Sequence, residues 1–228
     1  MGEKKIFKVT PSGVDYALKC KRSLWLAYKG IKLDAFFPPI FNAFDLIQKK
    51  FLITKSIKLI SNTLPDGRIM TELSGLIGSS TLKDRKGRLF VINGKTDVVV
   101  EFKTKPKKYG IIDLKTTNIN PSKIENYKLQ LESYVTIFQH PNSKTPKFSN
   151  IEEVGLYLFD PKEITSISNE TCNMKFETLY LKGNRCHDKL INRVTDIIDI
   201  YQMEKPPDYN FACASCKFVT SLIKEKCI

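Results

Sequence analysis

The chain has 228 residues, 42% of them hydrophobic, and its 37 Lys plus Arg against 24 Asp plus Glu give a formal charge of +13 and a pI near 9.4. That length supports one domain over residues 1–228 with a substantial core, and that charge favours a polyanionic partner. No apolar run is long enough to cross a bilayer, and no hydrophobic stretch follows Met1-Gly2-Glu3-Lys4-Lys5 to form an export signal, so a soluble, intracellular (cytoplasmic) protein without a membrane partner is expected.

In chain order, helices are predicted near Ser12 to Tyr28 and near Ala43 to Ile60, followed by strands near Ile69 to Ser74 and Arg88 to Ile92. Val98 to Phe102 and Tyr109 to Leu114 are rich in Val, Ile and aromatic residues and flank a Lys, Thr and Pro loop, so they read as a hairpin. Asn118 to Pro121 reads as a loop, and Ser122 with Glu125 has the spacing of a capping box. Tyr127, Leu131, Tyr134, Val135 and Phe138 then recur at helical intervals, and His140 to Asn150 reads as a second loop. Strands are expected at Val154 to Phe159 and Met174 to Leu181. Leu190, Ile191, Val194, Ile197, Ile198 and Tyr201 form a last helical stripe, which Pro206-Pro207 ends. The result is an α/β chain, a sheet wrapped by helices.

Residues two apart on a strand share a face, which puts Asp113 beside Lys115 while Ile112 and Leu114 point the other way. Asp97 opens the partner strand, so its carboxylate can meet that of Asp113 across the pair. Two carboxylates held together repel unless a cation lies between them, and hard oxygen ligands suit Mg²⁺ or Mn²⁺. Such an ion polarises a phosphoryl oxygen and acidifies water, and an adjacent lysine orients that water or offsets charge on phosphate. Gln130 and Tyr134, four apart, are neighbours on one helix face. Taken singly, Asp113-x-Lys115 also fits a solvated strand, and Gln130 and Tyr134 a core edge.

Together, Gly94-x-x-Asp97, Asp113-x-Lys115-Thr116 and Gln130-x-x-x-Tyr134 resemble the successive motifs of the PD-(D/E)XK nuclease superfamily, specifically its RecB-like branch, which includes the CRISPR-associated RecB-like nucleases. Ser12 to Trp25, containing Cys20-Lys21-Arg22, resembles that branch's Ser...Cys-Pro-Arg segment with Lys21 in place of Pro, and Cys213-Ala214-Ser215-Cys216 resembles its terminal Cys-x-x-Cys. The resemblance implies a restriction-endonuclease-like mixed sheet with an αβββαβ core. It implies that Asp97 and Asp113 bind a divalent metal, that Lys115 assists the attacking water, and that Gln130 and Tyr134 support the site or contact nucleic acid. Asp45 is the candidate for a further metal-binding acid. It equally fits a charge at a helix N-terminus.

Lys103, Lys105, Lys107 and Lys108 form a basic run in the hairpin loop, expected beside the site, and Lys49, Lys50, Lys55 and Lys58 follow Asp45. Either set can contact phosphate, and either can be a solvated face. Of six cysteines, Cys213 and Cys216 have the spacing of two thiolates on one metal, and Cys20 and Cys227 can complete four. The resemblance offers a [4Fe-4S] cluster stapling the chain ends, although the gap from Cys216 to Cys227 is long for it. Structural zinc and free buried thiols stay open. Neither His140 nor His187 supports a different catalytic scheme, and no glycine-rich nucleotide loop is present, so ATP-driven unwinding falls to a partner.

The leading expectation is therefore a divalent-metal-dependent DNA nuclease (a hydrolase) acting on ends or single strands as an exonuclease does. The alternatives are a nuclease-fold binding subunit of a repair, helicase, CRISPR or mobile-element assembly with little activity alone, and a cysteine-clamped adaptor for RNA. Charge alone does not separate DNA from RNA.

Overall fold

The computed structural model describes residues 5–17, 19–31, 38–53, 55–70 and 75–224. The first segment is a short strand, β1 (Ile6–Val9), whose alternating burial sends Phe7 and Val9 inward. Two helices follow, α1 (Pro11–Tyr16) and α2 (Lys21–Tyr28). They replace the single predicted helix because each has its own cap: Thr10 accepts from the Gly13 N–H, and the Cys20 sulfur accepts from the Ser23 N–H. Helix α3 (Pro39–Ile53) begins at a proline, which suits a first turn, and a separate 3₁₀ turn at Ile57–Leu59 completes the segment expected as one helix.

Nine strands make two mixed sheets among the described residues. The strands after β1 are β2 (Gly67–Ile69), β3 (Ile77–Gly78), β4 (Leu82–Lys83), β5 (Leu89–Gly94), β6 (Val98–Phe102), β7 (Lys108–Thr116), β8 (Ile151–Ile167) and β9 (Cys172–Lys182). The smaller sheet gathers β1, β3 and β4 around β5, with β1 parallel to it. The larger has the order β2-β6-β7-β8-β9, in which β7 and β8 are parallel and the remaining pairs antiparallel. Of the strand expected at Ile69 to Ser74, residues 71–74 lie outside the described residues.

Parallel β7 and β8 need a crossover, and α4 (Lys123–Gln139) supplies it. The succession α3, β2, β6, β7, α4, β8 gives the αβββαβ order, with β3 to β5 inserted between its first two strands. Helix α4 does not start on a capping box. The Ser122 hydroxyl donates to Asn120 Oδ1 at 2.8 Å and leaves the helix N–H groups uncapped, while Glu125 pairs with Lys128. Helices α5 (His187–Gln202) and α6 (Ala214–Lys224) close the chain.

Strand parity divides the core. Val99 and Ile111 face a cluster built with Leu131, Val135 and Phe138 of α4 and Leu190 and Val194 of α5. Val98, Val100, Ile112 and Leu114 face the opposite side, against Leu52 of α3, Ile57 and Leu64. Each fully buried aliphatic side chain contributes about 1.5–3 kcal/mol, so both faces of the β6–β7 pair are held rigidly.

Candidate active site

Because Val98 pairs with Ile112 and Val99 with Ile111, Asp97 stands opposite Asp113 and on the same sheet face. Asp97 Oδ2 accepts the Leu114 N–H at 2.8 Å, which fixes the carboxylate against β7. Its Oδ1 lies 2.7 Å from Lys49 Nζ, and that ammonium also reaches Asp45 Oδ2 at 2.8 Å. Lys49 and Asp45 are one turn apart on α3, so the helix delivers both to the strand end. Asp45 thus joins the site through Lys49, with a positive charge already between the two acids.

Asp113 is 2% exposed. Gln130 Nε2 donates to its Oδ1 at 3.0 Å and to Tyr134 Oη at 3.1 Å, so the predicted helix pair reaches the strand carboxylate directly. Lys115 Nζ sits 2.6 Å from Asp113 Oδ2. The contact lies outside hydrogen-bond angles, and that buried oxygen has a charge neighbour but no directed donor. Burial pushes the Asp113 carboxyl up to about 7, Lys115 opposes the shift, and the adjacent Asp97 charge adds to it. Burial works against the Lys115 ammonium, yet its pairing with Asp113 raises it on balance. The Lys115 ammonium also lies 5.1 Å from the Tyr127 ring centroid. Burial likewise pushes the Tyr134 phenol up, with the Asp113 charge acting in the same direction.

Asp45, Asp97, Asp113, Lys115, Tyr127, Gln130 and Tyr134 line one cleft of about 600 Å³. Gly94 explains how α1 comes to form part of its wall: a Cβ there would stand 2.6 Å from Pro11 Cγ and 3.4 Å from Tyr134 Cε1, so only glycine lets the first helix seat against the motif. Asp15 of α1 enters the cleft by this route, and sequence reasoning missed it. A six-residue helix has too little periodicity to reveal which face is buried.

The basic run does not lie beside the site. Residues 103–107 form the turn at the far end of β6, roughly 17 Å from Asp97 at ~3.4 Å per strand residue. Lys107 pairs with Glu101 and Lys108 with Glu152, and Lys103 and Lys105 are exposed. On α3, Lys50 is exposed while Lys49 is taken up by Asp45 and Asp97; Lys55 lies over the Phe51 ring and Lys58 reaches the Leu64 carbonyl.

The cysteines of the two chain ends do meet. Sulfurs of Cys20, Cys213 and Cys216 all lie within 4.8 Å of one another, with Cys20 and Cys216 at 3.5 Å. Cys227 lies outside the described residues. Burial opposes ionisation of Cys213, but hydrogen bonds from Ser23 and from the Cys216 N–H outweigh it and bring the thiol down to about 6. Arg22 donating to the Pro207 carbonyl at 3.0 Å and Asn210 donating to the Lys19 carbonyl at 2.8 Å tie the same segments together. His140 and His187 stand away from the cleft, beside β4 and α5.

No helix among the described residues is long and apolar enough to cross a membrane. No curated protein matches this chain. The crystal structure of SSO0001 is similar at 14% identity and a TM-score of 0.49, over 96% of this chain and 87% of that one. The family model described as the PD-(D/E)XK nuclease superfamily matches residues 45–221, a span that holds Asp45, Asp97, Asp113, Lys115, Gln130 and Tyr134. The chain belongs to the PD-(D/E)XK nuclease superfamily.

Proposed function

We propose that this chain, as one domain, hydrolyses DNA phosphodiester bonds with Mg²⁺ or Mn²⁺, on ends or single strands as its sequence resemblance implies. The observation that carries the reading is Asp113, a carboxylate buried beside Asp97 with one oxygen lacking a directed donor and a lysine at 2.6 Å. Two adjacent carboxylates fit a hard divalent cation. Asp97 and Asp113 would hold it, and Asp45 would join them where Lys49 releases it. A bound ion supplies Lewis acidity toward a phosphoryl oxygen and lowers the pKa of water.

The protein's own residues do the rest. Gln130 fixes the Asp113 carboxylate, and Tyr134, through Gln130, limits how that amide turns. Lys115 orients the attacking water and offsets the negative charge that grows on the phosphate. Lys50 is placed on the α3 surface for a neighbouring phosphate, whereas the Lys103 to Lys108 turn would reach only nucleic acid extending a strand length from the cleft. Cys20, Cys213 and Cys216 would clamp the chain ends through a [4Fe-4S] cluster or zinc, with Cys227 as the fourth thiolate.

A second reading is favoured by one feature: Lys49 and Lys115 already neutralise the carboxylates, as suits a nucleic-acid-binding subunit with little cleavage. One experiment separates them. Wild type, Asp113→Ala and Lys115→Ala are incubated with end-labelled single-stranded DNA, duplex DNA and RNA, with Mg²⁺, Mn²⁺ or EDTA. The nuclease reading expects metal-dependent cutting of DNA and a loss of about three orders of magnitude in both variants, with binding retained. Binding without cutting in any metal selects the second reading, and cutting in EDTA removes the metal-dependent mechanism.

A further inference from the structure

The cleft carries an apolar feature that its acid chemistry leaves unused. On α3, Phe41, Asp45 and Gln48 follow one another by four and three residues, so they share one helix face, and each lines the cleft. That face is anchored to the strands: Gln48 Nε2 donates to Thr116 Oγ1 at 2.9 Å, and Lys49 pairs with Asp97 at 2.7 Å. The Phe41 N–H donates to the Pro38 carbonyl at 3.1 Å, which fixes the helical turn that carries the ring. Leu46 and Ile47 of the same helix are also exposed, but neither lines the cleft.

The aromatic rings of the cleft differ in their surroundings. Tyr134 is buried, and its hydroxyl accepts the Gln130 amide. Tyr127, half-buried on α4, has the Lys115 ammonium 5.1 Å from its ring centroid. Phe41 is 41% exposed and stands one helical turn before Asp45, about 5–6 Å away between Cβ atoms. A sugar separates each phosphate from its base, so a phosphate engaged at Asp97 and Asp113 carries its base away from the acids and within reach of the cleft wall. A duplex hides its base faces by stacking and pairing, and exposing one costs free energy, whereas an unpaired base has its face available. Stacking on an aromatic ring is favourable for every base, so it selects unpaired strand without selecting sequence.

We propose that Phe41 is a base-stacking subsite: its exposed ring face takes an unpaired DNA base next to the phosphate held at the acids. Phe41 thereby determines the preference for single strands and frayed ends over intact duplex. The proposal rests on the nuclease reading for the phosphate at Asp97 and Asp113, and on the placement of Phe41 in the cleft for the base.

A cycle that removes the ring and the base separately tests it without requiring cleavage. Anisotropy titrations in Ca²⁺, a hard cation suited to the two acids, compare wild type, Phe41→Ala, Phe41→Leu and Phe41→Trp, each checked for an unchanged melting curve. The probes are a short oligothymidylate, the same backbone with abasic sites, and a blunt duplex. Phe41→Ala and Phe41→Leu are expected to weaken oligothymidylate binding about tenfold, and Phe41→Trp to retain it. The abasic strand and the duplex should change less than about twofold, because neither offers a free base face. A single 2-aminopurine in the oligothymidylate should be quenched on binding wild type and Phe41→Trp but not Phe41→Ala. Equal losses on the base-bearing and abasic strands overturn the proposal by making Phe41 a shaper of the cleft, and full binding by Phe41→Leu overturns it by reducing the contact to apolar packing. No loss in any variant removes it. Base-dependent binding without cutting in Mg²⁺ or Mn²⁺ leaves the subsite standing and sinks the nuclease reading alone.

Discussion

Two carboxylates, one on helix α4 and one on the strand it covers, are buried to nearly the same degree and held in opposite ways. Glu132, 1% exposed, accepts both Arg185 Nε and Nη2 at 2.9 Å and the Cys186 N–H at 2.9 Å, so both its oxygens are satisfied. Asp113, 2% exposed, receives one amide from Gln130, and its second oxygen has only an off-axis ammonium. The first arrangement fastens α4 to the start of α5 and has little left to bind. The second keeps an acid buried without completing its shell, a state that persists where something else is to be bound.

The largest effects should separate the two acids by kind. Asp113→Ala is expected to lower cleavage by about three orders of magnitude with melting temperature held or raised, because an incompletely satisfied buried acid is removed. Glu132→Ala is expected to cost about 2–4 kcal/mol of stability through the unpaired Arg185, with activity per folded molecule unchanged. Denaturant melts and active-fraction assays on both variants check this. Equal destabilisation would erase the distinction.

Proton linkage sharpens it. Burial pushes the Asp113 carboxyl up to about 7 in the fold and the Asp15 carboxyl up to about 6, both well above the ordinary aspartate range. Between roughly pH 4 and 7 the native state therefore binds more protons than the unfolded chain, so stability falls as pH rises through that window. Below it both states are protonated and the contribution vanishes; above it the penalty is complete. Metal-free wild type in EDTA should lose stability from pH 4.5 to 7.5 more steeply than Asp113→Asn, as read from urea midpoints. Parallel curves would mean that Asp113 is ordinary in the fold.

Much of this cleft was legible from alternation and helical spacing. Period two put Asp113 with Lys115 and across from Asp97, and the four-residue step put Gln130 with Tyr134, because a buried sheet and a packed helix leave side-chain direction no freedom. Strand arithmetic also contained the fact that misplaced the Lys103 to Lys108 run: Asp97 immediately precedes β6 and the turn follows it, so they lie a strand apart. The Ser122 capping box failed because Asn120, two residues away, takes the hydroxyl first, a local competition that spacing does not encode. Asp15 was hidden because its position depends on α1 seating against Gly94 and Tyr134, a contact between segments far apart in sequence.

Smaller effects follow from the surroundings of the two acids. Gln130→Ala frees Asp113 Oδ1 and should reduce kcat about tenfold with little change in melting temperature, as steady-state kinetics would read. Lys50→Ala should weaken DNA binding and shallow its salt dependence by about one counterion, whereas Lys105→Ala, a strand length away, should change affinity on a short oligonucleotide less than about twofold. Anisotropy titrations across salt concentrations check both. A larger effect at Lys105 would move the nucleic-acid path to the hairpin turn.

Direct Mn²⁺ binding by electron paramagnetic resonance tests whether Asp97 and Asp113 converge on one cation. Wild type is expected to bind saturably, with binding weakened at least about tenfold in Asp97→Ala and in Asp113→Ala while both variants stay folded. Binding of equal strength in all three proteins would place the metal elsewhere and contradict that convergence.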